Sequence, residues 1–124
     1  MKYMLLIYGD EKAAAQQRES LSEEDQQKYM QTWFDYTDWL GQKGWLVAGD
    51  ALLDTSQATS VRVQGGDRVV TDGPFAETKE QLGGYYLLDV QNDDDAIEAA
   101  AQCPGAQYGT IELRPLMEFD QAPS

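Results

Sequence analysis

The stretch Asp72-Gly73-Pro74-Phe75-Ala76-Glu77-Thr78-Lys79-Glu80 gathers both signs of charge around a Gly-Pro break, directly after a run rich in β-branched residues. Gly73 can take φ > 0, while Pro74 fixes its own φ and pushes Gly73 out of the α region, so the pair re-aims the chain sharply. Asp72 then stands at a strand end, where a carboxylate held steady and partly desolvated gains basicity and suits proton transfer. The same carboxylate could instead cap the turn by accepting nearby backbone N–H groups. Glu77, Lys79 and Glu80 could hold a polar substrate, or form local ion pairs that pin the loop against Arg62 or Arg114. Lys79 and Arg114 are the candidate anion holders, and a guanidinium fork based on a strand can be held rigidly. Tyr8 and Tyr85 offer hydroxyl handles, or simply fill an interface.

Much chemistry is excluded. The chain has no histidine, which removes imidazole bases, Ser-His and Cys-His nucleophile pairs, and His-based zinc or iron sites. Cys103 is the single cysteine, so neither an intrachain disulfide nor a Cys cluster for metal can form. Beside Pro104 it reads as a buried small hydrophobe rather than a nucleophile. Asp93, Asp94 and Asp95 resemble a metal loop but lack EF-hand spacing, and acids at a helix N-terminus explain them. No metal and no cofactor are expected. Twenty-two acidic against nine basic residues give a formal charge of −13, which repels phosphate backbones and anionic lipid, so neither nucleic acid nor membrane is an expected partner. No basic, apolar leader and no run near the roughly 20 apolar residues of a membrane span is present, so a soluble, cytoplasmic protein is expected. A length of 124 residues fits one domain, placed at residues 1–119 with a frayed tail at 120–124.

The positioning elements follow from periodicity. Residues 2–8 are apolar at nearly every position and short, which predicts a strand buried on both faces. The polar, Ala/Gln-rich segment 11–20 has no strong pattern and reads as a loop with helical turns. Ser22 offers an N-cap to a long amphipathic helix in which Tyr29, Met30, Trp33, Phe34, Tyr36, Thr37 and Leu40 recur at spacings of three and four, a stripe expected to be core, with Gly41 and Gly44 at its stop. A strand from Trp45 to about Leu52 follows. Thr59–Gln64 and Asp67–Asp72 flank Gly65-Gly66, a hairpin signal. Gly84–Val90 reads as another strand, Asn92 opens a second helix, Pro104-Gly105 stops it, and Thr110–Leu116 is the last strand, with Glu112 and Arg114 on one face. Strand, helix, strand, hairpin, strand, helix, strand is a split βαβ plan of α+β class with an inserted hairpin. Two helices cover one sheet face. The first strand is apolar on both, with Tyr3, Leu5 and Ile7 opposed to Met4, Leu6 and Tyr8, so a homodimer packing sheet to sheet is expected.

The 72–80 run, followed by Gln81-Leu82-Gly83-Gly84-Tyr85, and the end segments Met1–Ile7 and Ile111–Leu116 together resemble the DGPF-domain proteins of the YCII-related family, over Met1 to about Phe119. The resemblance implies a ferredoxin-like fold that dimerises as an α+β barrel, with no established activity for most members. For some relatives it implies small lyase-like chemistry by an Asp and a His, the Asp corresponding to Asp72; no His exists here for the other role. It also implies a bacterial regulatory setting linked to extracytoplasmic-function sigma factors. Three function classes stay open: a binding module for a small polar or anionic molecule at the turn, an acid-base enzyme using Asp72, and a dimer that only interacts. The missing histidine favours binding.

Overall fold

The computed structural model describes residues 1–119, so the tail expected at 120–124 lies outside the described residues. Strands β1 (Lys2–Gly9), β2 (Leu46–Ala51), β5 (Gln81–Asp89) and β6 (Thr110–Pro115) form one antiparallel sheet in the order β2-β5-β1-β6. Strands β3 (Thr59–Gln64) and β4 (Asp67–Asp72) form a separate two-stranded sheet. Helices α1 (Glu11–Ser20), α2 (Glu23–Gln42) and α3 (Asp93–Gln102) are the α-helices of the described residues, and short 3-10 turns lie at Thr55–Gln57 and Pro104–Gln107. With the hairpin set aside, β1-α2-β2 and β5-α3-β6 interleave as the two halves of a split βαβ, the ferredoxin-like α+β plan expected from the order of elements. The described residues form no closed barrel.

The core lies between one sheet face and two helices. Tyr3, Leu5 and Leu88 from the sheet meet Tyr36 and Leu40 of α2, Ala96 and Ala99 of α3, and Cys103, all buried. Each large apolar side chain removed from water there contributes roughly 1.5 to 3 kcal/mol. Tyr36 satisfies its buried hydroxyl by donating to the Ala99 carbonyl at 2.6 Å, and its ring meets Tyr86 edge-on at 5.5 Å. Gly49 makes room for that tyrosine, since a Cβ would come within 2.6 Å of Tyr86 Cδ1. Burial in this core pushes the Cys103 thiol up to about 11, in keeping with a structural cysteine rather than a nucleophile.

Three expectations need correction. Segment 11–20 is a helix, not a loop: the Asp10 carboxylate accepts from the Ala13 amide at 3.1 Å, and Ala/Gln-rich composition suits helix, but α1 buries no residue, so no apolar stripe marks it. The α2 stripe is only partly core. At about 100° per residue Met30 and Phe34 project roughly 80 and 120° round from Leu40, and both are exposed, as is Tyr29 one turn beyond the end of the core. Strand β5 begins at Gln81 rather than Gly84, because Gly83 and Gly84 sit inside it. A Cβ on Gly84 would press on the Asp50 carbonyl at 3.0 Å, so glycine marks a close backbone approach where it had read as a boundary.

Candidate functional site

Because side chains alternate along each strand, the face of the sheet opposite α2 and α3 is formed by Met4, Leu6 and Tyr8 of β1, Tyr85 and Leu87 of β5, and Thr110, Glu112 and Arg114 of β6, with Ala48 and Asp50 of β2 beside them. Its centre is apolar and its flanks polar. On one flank Tyr8 Oη donates to Glu112 Oε1 at 3.3 Å. Burial and the neighbouring Glu112 raise the Tyr8 phenol above 10.0, and Arg114 partly offsets them. On the other flank Tyr85 Oη donates to Asp50 Oδ2 at 2.6 Å, and that carboxylate raises the Tyr85 phenol.

The segment that leaves β4 returns to this face. Gly73 takes φ 91°, as the Gly-Pro pair requires, and donates from its amide to the Ala58 carbonyl at 2.7 Å. Ser60 Oγ donates to the Gly73 carbonyl at 2.8 Å. Thr78 Oγ1 donates to the Glu80 carbonyl at 2.6 Å. Glu80 Oε1 accepts from Thr110 Oγ1 at 2.9 Å, on the same strand face as Glu112 and Arg114. Both roots of the hairpin are tied by one helix residue. Glu11 accepts from the Thr55 amide at 2.9 Å and from Thr55 Oγ1 at 2.7 Å, while its own amide donates to Gln81 Oε1 at 3.0 Å.

The expected site residues therefore divide. Tyr8, Tyr85, Glu80 and Arg114 occur on or beside the open sheet face. Asp72 ends β4, exposed, and its carboxylate accepts no hydrogen bond among the described residues. Glu77 and Lys79 are exposed in the loop, and Arg62 is exposed in β3 opposite Val69. The ion pairs among the described residues are Met1 with Asp89 and Lys28 with Glu24, so pinning of the loop by Arg62 or Arg114 is not found. Two partners escaped the sequence reading of the site. Glu112 could have been found, since it shares a strand face with Arg114, whereas Asp50 meets Tyr85 only through the β2–β5 register.

No group of three or more His, Cys, Asp or Glu suited to a metal ion occurs among the described residues. Asn92 Oδ1 caps the Asp95 amide at 2.9 Å, and Asp93 accepts from the Tyr3 hydroxyl, so these acids start a helix and tie it to the sheet. No described helix is long and apolar enough to cross a membrane. Away from the sheet face, a cleft of about 400 Å³ runs beside α2, lined among others by Tyr29, Tyr36, Trp39 and Tyr108. No residue of the 72–80 run lines it.

Comparison with known proteins gives two results. The family model for the YCII-related domain matches residues 1–120. An uncharacterised protein of Rhizobium meliloti (strain 1021) is 35% identical over 118 residues, covering 94% of this chain and 92% of the relative.

Proposed function

The chain belongs to the YCII-related family, and from that premise we propose that it binds a small polar or anionic molecule between the Asp72–Glu80 segment and the open sheet face, as a homodimer. The contact that carries this reading is Glu80 to Thr110. Through it the segment after the Gly-Pro turn is anchored beside Tyr8, Glu112 and Arg114, giving phenol, carboxylate and guanidinium within one neighbourhood. Arg114 supplies a fork for an anionic group, the phenols supply directional hydrogen bonds, and Met4, Leu6 and Leu87 supply an apolar floor. Asp72 is exposed, which favours binding over proton transfer. A binder of this kind suits the sigma-factor-linked regulatory setting that the family resemblance implies.

Melting the protein against a panel of small carboxylates, phosphate esters and neutral polar metabolites tests the idea. A ligand at a hundred times its Kd should add about 2.7 kcal/mol to the native state, and Arg114→Gln should remove the response. A panel without any response, or responses unchanged in Arg114→Gln, would overturn the proposal.

A further inference from the structure

The cleft beside α2 is formed by the helical layer, and neither Tyr8, Tyr85 nor Arg114 lines it. Its volume of about 400 Å³ falls within the range of small-molecule sites. One wall is a stripe of α2, on which Tyr29, Thr32, Tyr36 and Trp39 recur at spacings of three and four and so share a face. The other wall is the turn after α3, from which Tyr108 meets Tyr29 edge-on with ring centres 6.2 Å apart. Tyr36 and Trp39 stand 5.9 Å apart along the first wall.

The turn that carries Tyr108 is held in place. The amides of Gly109 and Tyr108 both donate to the Gly105 carbonyl, at 2.9 and 3.3 Å. Gly105 itself lies so near the core that a Cβ there would press on Ile7 and Trp33. Tyr29 and Tyr108 are nevertheless 40 and 61% exposed, so two rings from distant parts of the chain meet at the surface rather than in the core.

Charge narrows the ligand. Among the described residues that line the cleft, Asp35 is the one charged side chain. Its Oδ1 accepts from Gln31 Nε2 at 2.9 Å, and its Oδ2 accepts no hydrogen bond among the described residues. Gln102, also in the lining, donates to Glu98 at 3.0 Å, which brings a second carboxylate next to it. Aromatic faces attract cations through their quadrupole, and a carboxylate beside them adds to the attraction. A bare ammonium needs several acceptors at hydrogen-bond distance, whereas an alkylated ammonium spreads its charge over methyl groups that rest on ring faces. The chain uses the same attraction one turn further on, where Lys43 Nζ lies 5.9 Å from the Trp39 ring centre and 5.5 Å from that of Trp45.

We propose that this cleft binds a small organic cation of the alkylated-ammonium class, held against the rings of Tyr29, Tyr36, Trp39 and Tyr108 and paired with Asp35. It is a second site, independent of the one between the Asp72–Glu80 segment and the sheet. A formal charge of −13 also draws cations to the whole surface, so recognition by the cleft has to be separated from diffuse attraction.

Titration of the unmodified protein with choline chloride, followed by the ring-proton NMR signals of Tyr29, Trp39 and Tyr108, makes that separation. Sodium chloride at equal ionic strength is the reference, and the neutral isostere of choline, with carbon in place of nitrogen, is the control for apolar contact. Choline should shift these rings saturably with one-to-one stoichiometry, sodium should not, and the isostere should bind more weakly. Tyr108→Leu, at an exposed position, should weaken choline by about two- to thirtyfold, and Asp35→Asn by up to about fivefold. Arg114→Gln should leave choline binding unchanged. The absence of a saturable shift, an equal response to sodium, or equal binding of the isostere overturns the proposal without recourse to any variant. Unchanged affinity in Tyr108→Leu, or loss of choline binding in Arg114→Gln, overturns it as well. A metabolite panel without any response, beside saturable choline binding at these rings, would fault the reading of the sheet-face site and leave this one standing.

Discussion

Tyr8 and Tyr85 each hold a phenolic proton against a carboxylate on the same open face, Glu112 for one and Asp50 for the other. Both phenols are raised, so at neutral pH each keeps its proton for its carboxylate, and its oxygen is left to accept a hydrogen bond from a ligand entering the site. Asp72→Asn keeps size while deleting charge. Since Asp72 is exposed, we expect this change to leave subunit folding intact and to abolish the ligand-induced rise in melting temperature; a cooperative unfolding loss like that of a core lesion would show that Asp72 holds the turn instead. Cys103 offers a pH test inside the core. Its thiol is raised from 9.0 to about 11 by burial, so the folded chain keeps a proton that the unfolded chain releases. The associated stability is fully present below about pH 9 and is lost as pH rises through about 11. Denaturant melts across that window should fall less steeply for Cys103→Ala than for the parent, by about 2 to 3 kcal/mol, even though the variant starts lower for lack of the buried sulfur.

Among the elements, α1 and the loop into β6 carry constraints that composition hides. Helix α1 buries nothing, but its Glu11 ties Thr55, ahead of β3, to Gln81 at the start of β5, and its Arg18 carbonyl accepts from Gln26 of α2. Gly109 precedes β6 where a Cβ would collide with the Tyr8 carbonyl oxygen. Gly41, inside α2, has only open space where a Cβ would stand. Two alanine substitutions should therefore have opposite signs. Gly109→Ala should cost about 1 to 3 kcal/mol by displacing β6 from β1, and Gly41→Ala should gain about 0.5 to 1 kcal/mol from helix propensity and a less flexible unfolded chain. Urea midpoints for the pair would check both; a neutral Gly109→Ala would mean that the β1–β6 register can relax. Leu40→Ala, fully buried between α2 and the sheet, should cost about 2 to 5 kcal/mol.

For the whole molecule the question is what covers the second sheet face. The helices that pack on the sheet do so from one side, and the opposite side keeps Met4, Leu6 and Leu87 half-buried beside an exposed valine-bearing arm. A net charge of −13 opposes association, which makes added salt a useful probe: screening should tighten the dimer overall. Light scattering at low micromolar concentration should report twice 13.9 kDa, with an interface on the order of 2,000 Å² or more. A folded monomer with unchanged cooperative unfolding would remove the dimer.

Sequence by itself determined whatever depends on neighbours along the chain. The hairpin limits at Thr59–Gln64 and Asp67–Asp72 were legible, because Gly-Gly flanked by β-branched residues admits few other conformations. The helix starts at Ser22 and Asn92 were legible, because short polar side chains there satisfy amides that a helix leaves open. The order of elements then restricted the sheet to a split βαβ arrangement. What only the tertiary structure decided are relations between distant residues. Asp50 faces Tyr85 through a strand register, Glu80 meets Thr110 across 30 positions, and Glu11 reaches Thr55 and Gln81. Exposure was decided there as well. Met30 and Phe34 repeat at the same spacing as buried residues of α2, and only the azimuth at which that helix meets the sheet leaves them in solvent. Local physics sets which element forms; which face it turns inward is set by the packing of the others.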